Sequence, residues 1–347
     1  MQSLKQLKSN MEILMPEVTS IQWKEFIKSN PSAHILQMDE WGKLKSNFGW
    51  YSKQLIHNGA GAQILFRKLP LSRTIAYIPK GPIGPKVSWK SLFAEIDLIC
   101  KQNKSIFLKI EPDTWDDQED EIAELMNGYA QPSSPIQPRR TIVVSLAGDQ
   151  EVWLQAMKQK TRYNIRLASR KDIIISQSND LTIYQNLMIE TGKRDGFGVH
   201  SEEYYQQVFN LFHPEYSTIL LAKYGNQPLA AIMIFSSGTR AYYFYGSSSN
   251  KERSRMPTYL LQFEAMKWAK EHSCETYDLW GIPDAGPEEL EAQFKGRSDG
   301  LWGVYRFKRG FGGQIKRACG AFDRIYHPAL YKAYEKLQSI RKANNNL

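Results

Sequence analysis

The run GLWGVYRFKRGFGG, from Gly300 to Gly313, combines aromatic residues, cations and glycines in a pattern suited to chemistry. Lys308 stands between Phe307 and Arg309, just before a glycine-rich and therefore flexible loop. A positive donor in a site sheltered from water stabilises the negative oxygen that develops when a carbonyl group reacts. We therefore predict that Lys308 faces a reacting carbonyl. The alternative is a surface lysine paired with an acid.

A second cationic pattern lies in KQKTRYNIRLASRK. Four of its cations recur at every fourth position, which on a helix places them along one face. They are Lys158, Arg162, Arg166 and Arg170. Like charges spaced in this way destabilise a helix by about 0.2–0.5 kcal/mol per pair, a cost that bound phosphate would offset. We predict that these residues bind nucleic acid; the alternative is a solvated face whose aliphatic stems cover Trp153 and Met157.

The positive charge of the chain is concentrated in two segments. The 347 residues carry a net charge of +9. Residues 152–171 contain six Lys or Arg and no acid, and residues 301–347 contain ten against two acids. Such localisation favours a polyanionic partner, which could be nucleic acid, an anionic membrane face or a phosphorylated substrate. A solvated surface without a partner is the alternative.

Composition excludes several classes of protein. Apolar residues make up 42% of the chain, and no run reaches the roughly 18 apolar residues that a membrane span needs. The N-terminal residues read as polar and charged rather than as a secretion signal, so we expect a cytoplasmic protein. The three cysteines are far apart and have no metal-ligand spacing, which predicts neither a disulfide nor a zinc site. We expect no metal cofactor.

The order of the predicted elements indicates a mixed α/β protein with two domains. Helices and strands alternate in the first half, and the same order starts again after a proline-rich segment, residues 131–140. HILQ reads as a strand, whereas WLQAMKQKTRYNIRLASRK reads as one continuous helix. Each half contains a meander of antiparallel strands, one long helix and a further strand. We interpret the halves as two copies of one unit.

A strand, a polar loop and a helix follow one another in RAYYFYGSSSNKERSRMPTYLLQFEAMKWA. Acetyl-CoA-dependent acyltransferases of the GNAT type carry a glycine-rich pyrophosphate loop at this kind of junction, at a helix N-terminus. Here Met256 and Thr258 stand where glycines would be needed, and Pro257 lacks a backbone N–H. The order of elements resembles GNAT and the loop does not, which favours an acyl donor other than acetyl-CoA. No Ser-His-Asp, Cys-His or HExxH arrangement can be recognised.

Taken together, the motifs resemble the FemABX peptidyltransferases, which build peptidoglycan side bridges. The resemblance extends from about residue 32 to residue 322. The segments that carry it are LQMDEWGKLK, YIPKGP, KQKTRYNIRLASRK, ETGKRDGFGVHSEEYY, AAIMIF, YFYGSSS, MPTYLLQFEAMKWA, YDLWGIP and GVYRFKRGFGG. It implies two tandem GNAT-like (acyl-CoA N-acyltransferase-like) domains, residues 1–140 plus 323–347 and residues 141–322. No heptad pair interrupts residues 183–258, so the chain is similar to the members that lack a coiled-coil arm.

The resemblance also implies roles for individual residues. The catalytic lysine of the family falls on Lys308. A lysine that binds the phosphate of the precursor falls on Lys45 rather than Lys43. An arginine and a tyrosine of the family fall on His200 and Tyr204; histidine is mostly neutral at pH 7 and lacks the guanidinium fork. Further tyrosines on the substrate side fall on Tyr245 and Tyr259.

The activity implied by this resemblance is transfer of an amino acid from aminoacyl-tRNA to the stem-peptide amino group of a peptidoglycan precursor. The donor is then a co-substrate and no cofactor is required. We expect a monomer in the cytoplasm, with possible peripheral contact at the inner membrane face. Two alternatives stay open, namely an acyl-CoA-dependent GNAT enzyme and a non-catalytic protein that associates with RNA or membrane. Fold alone does not decide among them.

Overall fold

The strands of the protein form two separate sheets in the computed structural model, which describes residues 18–131, 135–196 and 198–345. In chain order the strands are β1 Trp50–His57, β2 Ala60–Leu69, β3 Arg73–Pro79, β4 Ser105–Glu111, β5 Arg140–Ser145, β6 Ile173–Ser178, β7 Ser217–Tyr224, β8 Gln227–Ser237, β9 Arg240–Ser248, β10 Thr276–Asp278, β11 Gln314–Arg317 and β12 Phe322–Ile325. The helices are α1 Ser20–Lys28, α2 Asp39–Ser46, α3 Trp89–Gln102, α4 Glu119–Leu125, α5 Gln150–Ala156, α6 Gln159–Arg170, α7 Leu181–Asp195, α8 Glu202–Phe212, α9 Pro257–Glu271, α10 Pro287–Gln293, α11 Trp302–Lys308 and α12 Pro328–Asn345.

The first sheet has the strand order β1-β2-β3-β4-β12. Its first three strands form an antiparallel meander with a turn at Asn58 and Gly59. Helix α3 then crosses over and returns the chain as β4, parallel to β3. Apolar residues of α3 recur at helical spacing, and Leu92 and Ile96 are fully buried against the sheet. Burial of this face fixes the crossover.

The second sheet has the order β11-β5-β10-β9-β8-β7-β6 and repeats the same arrangement. The strands from β6 to β9 pair in an antiparallel manner. Helix α9 crosses over and returns the chain as β10, parallel to β9. The prediction of a mixed α/β fold built from two similar units is therefore confirmed.

The two sheets pack against each other through a shared apolar core. Leu36 and Trp41 from the first part of the chain lie in one buried cluster with Tyr205, Phe235 and Tyr242 from the second part. A hydrogen bond of 3.0 Å from Ser237 Oγ to the Ala33 carbonyl crosses the same boundary. Because this core is continuous, the side chains on either side of the boundary are held at fixed distances.

The end of the chain returns to the first sheet. Strand β11 pairs with β5 in the second sheet, whereas β12 pairs with β4 in the first. Helix α12 follows, and Tyr331 packs edge-on against Phe107 of β4 at 5.1 Å. The division into residues 1–140 plus 323–347 and residues 141–322 stays a prediction. Among the described residues, no helix is both long enough and apolar enough to cross a membrane.

Several local predictions are wrong. The segment HILQ is a short 3-10 turn rather than a strand, because the His34 ring accepts a hydrogen bond from the Leu36 N–H and caps the turn. The helix predicted as continuous is divided into α5 and α6, since Met157 and Lys158 both have extended backbone. The run before the glycine-rich loop forms helix α11, which periodicity did not reveal. Part of the proline-rich segment, residues 132–134, lies outside the described residues.

Candidate functional site

Lys45 lies in the last turn of α2, at the boundary between the two sheets. Its Nζ is 4.6 Å from the ring centre of Trp41 and 5.5 Å from that of Tyr204. Partial burial lowers the pKa of Lys45 to about 8. Lys43, on the same helix, points elsewhere and forms an ion pair of 2.7 Å with Asp39. Lys45 is therefore the lysine of this helix that contacts the second part of the chain.

Three further predicted residues lie on the same side of the molecule as Lys45, connected through Tyr204. The His200 ring stacks on the Tyr204 ring with centres 3.9 Å apart. The hydroxyl groups of Tyr204 and Tyr245 are 3.0 Å apart, which is hydrogen-bonding distance. Ser201 caps helix α8 by accepting the Tyr204 N–H and thereby fixes the start of that helix. Lys45, His200, Tyr204 and Tyr245 are called the lysine–tyrosine cluster below.

The lysine–tyrosine cluster is positively charged and rich in hydroxyl groups. Burial and the nearby charge of Lys45 lower the pKa of His200, so that its ring is mostly neutral at pH 7. Burial raises the pKa of Tyr204 and of Tyr245, and both phenols stay protonated. Within the described ranges, no carboxylate forms an ion pair with Lys45. Such a group of donors is suited to an anionic ligand.

Lys308 is the last residue of α11 and is buried, with 6% of its surface exposed. Its Nζ donates to the carbonyl oxygens of Trp280, at 3.2 Å, and Gly281, at 2.8 Å. Burial lowers the pKa of Lys308 to about 7, and the negative charge of Asp278 opposes this shift. An ammonium group has three N–H donors, so one remains after the two carbonyls are satisfied.

The segment that holds Lys308 is itself held by Asp278. The Asp278 carboxylate accepts the Trp280 N–H at 2.7 Å and the hydroxyl of Thr141. Trp280 has a φ of +60°, a backbone conformation that a bulky residue rarely adopts. Asp278 stabilises that conformation and so directs two carbonyl oxygens at Lys308. Sequence reasoning missed Asp278; the segment YDLWG contained it, but a single acid after a short strand gave no signal.

Tyr259 does not lie in the lysine–tyrosine cluster. Its ring is 5.1 Å from Phe307 and 5.9 Å from Phe311, the two phenylalanines that flank Lys308 in the sequence. It belongs to the apolar core of the second sheet. The structure therefore places Tyr259 on the Lys308 side of the molecule, whereas Tyr245 lies on the Lys45 side.

Three cations of the predicted basic stripe lie on α6, whereas Lys158 directly precedes that helix, and the four cations are not equivalent. Arg162 is half-buried and donates to the carbonyl oxygens of Leu154 and Gln155, both at 3.3 Å, and of Met157. It therefore caps the end of α5. The Nζ of Lys158 lies 3.8 Å from Oε2 of Glu291. The remaining two cations, Arg166 and Arg170, are exposed.

The loop before α9 lacks the features of a coenzyme cradle. Residues 253–255 form a 3-10 turn, and Met256 has a left-handed backbone with a φ of +58°. Pro257 is the first residue of α9 and has no N–H to donate. In the described residues, no group of three or more His, Cys, Asp or Glu side chains could hold a metal ion.

A cavity of about 530 Å³ lies where the two parts of the chain meet. The connecting segment forms one wall, including Gln137 and Arg139, and Ile282 and Leu301 form the other. Ile282 directly follows Gly281, whose carbonyl binds Lys308. The cavity therefore lies next to the segment that holds Lys308.

The chain is similar to known proteins along nearly its whole described length. The FemAB family matches residues 18–225 and 219–339. The chain is 26% identical to the lipid II:glycine glycyltransferase of Staphylococcus epidermidis and 24% identical to that of Staphylococcus aureus, in each case covering 92% of this chain and 95% of the relative. The alignment with the first extends over 403 residues, more than the 347 of this chain, so the relative carries additional residues.

The fold has a similar match among solved structures. The crystal structure of FemX superposes with a TM-score of 0.82 at 23% identity and covers 92% of this chain and 98% of that one. The family predicted from the motifs is thus confirmed by an independent comparison, and so is the class of enzyme, a transferase. Since the family matches nearly the whole length described, the chain belongs to the FemAB family.

Proposed function

We propose that this protein transfers an amino acid from aminoacyl-tRNA to the stem-peptide amino group of a peptidoglycan precursor. The observation that carries the proposal is the lysine–tyrosine cluster, in which Lys45, Tyr204 and Tyr245 converge from both parts of the chain. The relatives that are named lipid II:glycine glycyltransferases support a precursor of this chemical class. Membership of the FemAB family supports a transferase reaction.

The lysine–tyrosine cluster would bind the acceptor. Lys45 would pair with a phosphate of the precursor, because its charge is met by aromatic faces and not by a carboxylate. His200 would donate a hydrogen bond without adding charge, since burial and Lys45 lower its pKa. The paired hydroxyl groups of Tyr204 and Tyr245 would contact polar groups of the same molecule.

The reaction would take place near Lys308. The acceptor amine forms a bond to the ester carbonyl carbon, negative charge develops on the carbonyl oxygen, and the bond to the tRNA 3′ oxygen breaks. That oxygen leaves with the proton that the amine gives up. The remaining N–H donor of Lys308 would stabilise the negative oxygen, in a site that burial keeps poor in water. Asp278 would keep more of Lys308 in the charged form that this step requires.

The donor tRNA would lie along α6. Arg166 and Arg170 are exposed and available for phosphate contacts, and Lys158 is exposed beside Glu291. Arg162 would contribute less, because three backbone carbonyl groups already bind its guanidinium group. Contacts of this kind do not depend on base sequence and weaken as salt is added.

The proposal is tested by incubating the purified chain with a mixture of aminoacyl-tRNAs and either a lipid-linked or a nucleotide-linked precursor. Mass spectrometry of the stem peptides should show the addition of one amino acid residue. The addition should disappear when tRNA is deacylated beforehand, and it should be slowed by about 10²- to 10³-fold when Lys308 is changed to Met. Product formation from an acyl-CoA without tRNA, together with tight coenzyme A binding in calorimetry, would contradict the proposal.

A further inference from the structure

We propose that the end of the first sheet at which β3 and β4 begin is a contact surface for anionic phospholipid headgroups. A cavity of about 410 Å³ opens there, which is called the basic pocket below. It is lined by Arg73, Asp97, Lys101, Lys104, Ser105, Arg324, Ile325, Tyr326 and His327. The lining contains four cations and one carboxylate, and none of these residues belongs to the site described above.

The carboxylate of the basic pocket is already satisfied. Asp97 accepts from Arg324, at 3.1 Å, and from the Tyr326 hydroxyl, at 2.7 Å. Within the residues that the structure describes, no carboxylate forms an ion pair with Arg73, Lys101 or Lys104. These three cations therefore leave the pocket with uncompensated positive charge, which favours an anionic ligand.

The C-terminal end of α3 alone does not explain why cations cluster in the basic pocket. Lys101 lies in the last turn of α3, where a cation is favoured by the helix dipole. Arg73 and Arg324, however, come from β3 and β12 on either side of β4. The Thr74 N–H donates to the Lys104 carbonyl at 3.3 Å, which brings the turn before β3 next to the turn before β4. Three separate elements thus supply charge to one cavity.

An exposed leucine stands at the tip of the hairpin that leads into this pocket. Leu71 lies in the turn between β2 and β3 and is 87% exposed. Its φ of +61° is a left-handed conformation that usually belongs to glycine or asparagine. Arg67 and Lys68 precede it as exposed cations, and Arg73 follows it in the pocket. Leu71 therefore has an unfavourable backbone conformation although its side chain is not buried.

The combination of an apolar tip and a basic cavity favours a bilayer over a nucleic acid. A leucine that enters the boundary between headgroups and acyl chains leaves water, while the cations beside it meet lipid phosphates. Sequence-independent binding to nucleic acid instead relies on cations that contact phosphates, and an exposed leucine adds nothing to such contacts. The choice of a membrane also rests on the proposed function in one respect, since a lipid-linked acceptor lies at such a surface.

The test measures co-sedimentation of the full chain with vesicles of phosphatidylcholine, with and without phosphatidylglycerol. Binding should require phosphatidylglycerol. The triple variant Arg73→Ala, Lys101→Ala, Lys104→Ala should lower the apparent affinity by about 100-fold, because each cation near the surface contributes about fivefold. Leu71→Ser should lower it by about tenfold and leave the salt dependence of binding unchanged.

The matched control removes the same number of charges from the second part of the chain, as Lys193→Ala, Lys251→Ala, Lys270→Ala, all at exposed positions. It should bind vesicles as the unmodified chain does. Equal losses in both triple variants, or equal binding to vesicles without phosphatidylglycerol, would overturn the proposal. Loss of tRNA binding by the first triple variant, with vesicle binding unchanged, would assign the pocket to nucleic acid instead.

Failure of this inference can be told apart from failure of the proposed function. The first triple variant should keep full transfer activity on a soluble, nucleotide-linked precursor, because the lysine–tyrosine cluster and Lys308 are unchanged. A chain that binds vesicles as expected but transfers no amino acid would contradict only the proposed function. A chain that transfers normally but binds vesicles through neither Leu71 nor the basic pocket would contradict only this inference.

Discussion

Lys45 and Lys308 are both lysines with a lowered pKa, yet their surroundings differ. Lys45 lies against the faces of two aromatic rings and is partly open to solvent. Lys308 is buried, donates to two backbone carbonyl groups and is close enough to Asp278 to be stabilised by its charge. Burial causes the lowered pKa in both cases, but only Lys308 has protein oxygens as partners.

This difference distinguishes a cation that can bind an arriving ligand from a cation that the protein already holds in one position. A cation that faces rings and solvent can pair with a charge that arrives with a ligand. A cation held by carbonyl oxygens keeps one position whether or not a ligand is present, and such fixed charge is effective when a negative oxygen develops during a reaction. We therefore expect Lys45 to govern acceptor binding and Lys308 to govern turnover.

The strongest test of this comparison is Lys308→Met. Methionine has a similar length but no charge and no N–H donor. Loss of one oxyanion donor typically lowers kcat by about 10²- to 10³-fold, and we expect a loss of this size with a small change in KM. Steady-state assays with saturating aminoacyl-tRNA measure both quantities.

The same variant carries its own control for folding. Replacement by methionine removes the cost of burying a charge but leaves the carbonyl oxygens of Trp280 and Gly281 without their donor, so the melting temperature should fall. A variant that stays folded at the assay temperature and loses turnover supports the assignment. Unchanged kcat would remove Lys308 from the mechanism.

For Lys45→Met we expect a smaller effect, which changes KM rather than kcat. Loss of a charged hydrogen bond to phosphate costs about 1.5–3 kcal/mol, which corresponds to a rise of about 10- to 100-fold in the KM for the precursor. The kcat should change little. Lys43→Met is the matched control on the same helix, because Lys43 pairs with Asp39 and should leave the KM unchanged. Equal effects of the two substitutions would erase the distinction between the lysines.

The sequence predicted the fold better than it predicted the site. Hydrophobic periodicity of α3 and α9 and the turn residues Asn58 and Gly59 between β1 and β2 are local signals, and these elements formed as expected. The residues of the lysine–tyrosine cluster were named from motifs that lie far apart in the sequence, and the structure places them together. Their roles stay predictions.

Other features of the site depend on interactions that periodicity does not encode. The break between α5 and α6 depends on Arg162, whose side chain reaches back to the carbonyl groups at the end of α5. The position of Lys308 depends on the left-handed backbone of Trp280 and on Asp278. Tyr259 was grouped with Tyr245 by resemblance, but the fold separates them, because one contacts the α11 phenylalanines and the other contacts Tyr204.

A third prediction concerns the charge on Lys308. Its pKa is about 7 in the folded protein, so the ammonium form is lost as the pH rises through 7. If the ammonium form is active, kcat should decline on the alkaline side of this pKa. Asp278→Asn keeps an oxygen that can accept the Trp280 N–H but removes the negative charge that favours the ammonium form. The decline should therefore move to lower pH.

The pH profile also distinguishes two uses of Lys308. A neutral amine that acted as a general base would give a kcat that increases with pH in the same range. Asp278→Asn would then move the increase to lower pH and raise the activity measured at pH 6. The profile of Lys45→Met is the control, since that residue should not change the dependence of kcat on pH.

The contrast between exposed cations and cations that already bind protein oxygens extends to α6. Arg166→Ala combined with Arg170→Ala should weaken tRNA binding and reduce the slope of log affinity against log salt by about 2, one unit for each arginine that no longer neutralises a phosphate. Filter binding over a range of salt concentrations measures the slope. A slope identical to that of the unmodified chain would exclude these two arginines from the tRNA interface.

The smallest expected effect distinguishes Arg162 from its neighbours on the same helix face. Its guanidinium group binds the terminal carbonyl groups of α5, so Arg162→Ala should lower the free energy of unfolding by about 1–2 kcal/mol. Arg166→Ala, at an exposed position, should stay within about 0.5 kcal/mol of the unmodified chain. Urea denaturation midpoints, with unchanged m-values, report the difference. If Arg162→Ala instead leaves the midpoint unchanged and reduces the salt slope as Arg166→Ala does, all the α6 arginines belong to one open phosphate-binding face.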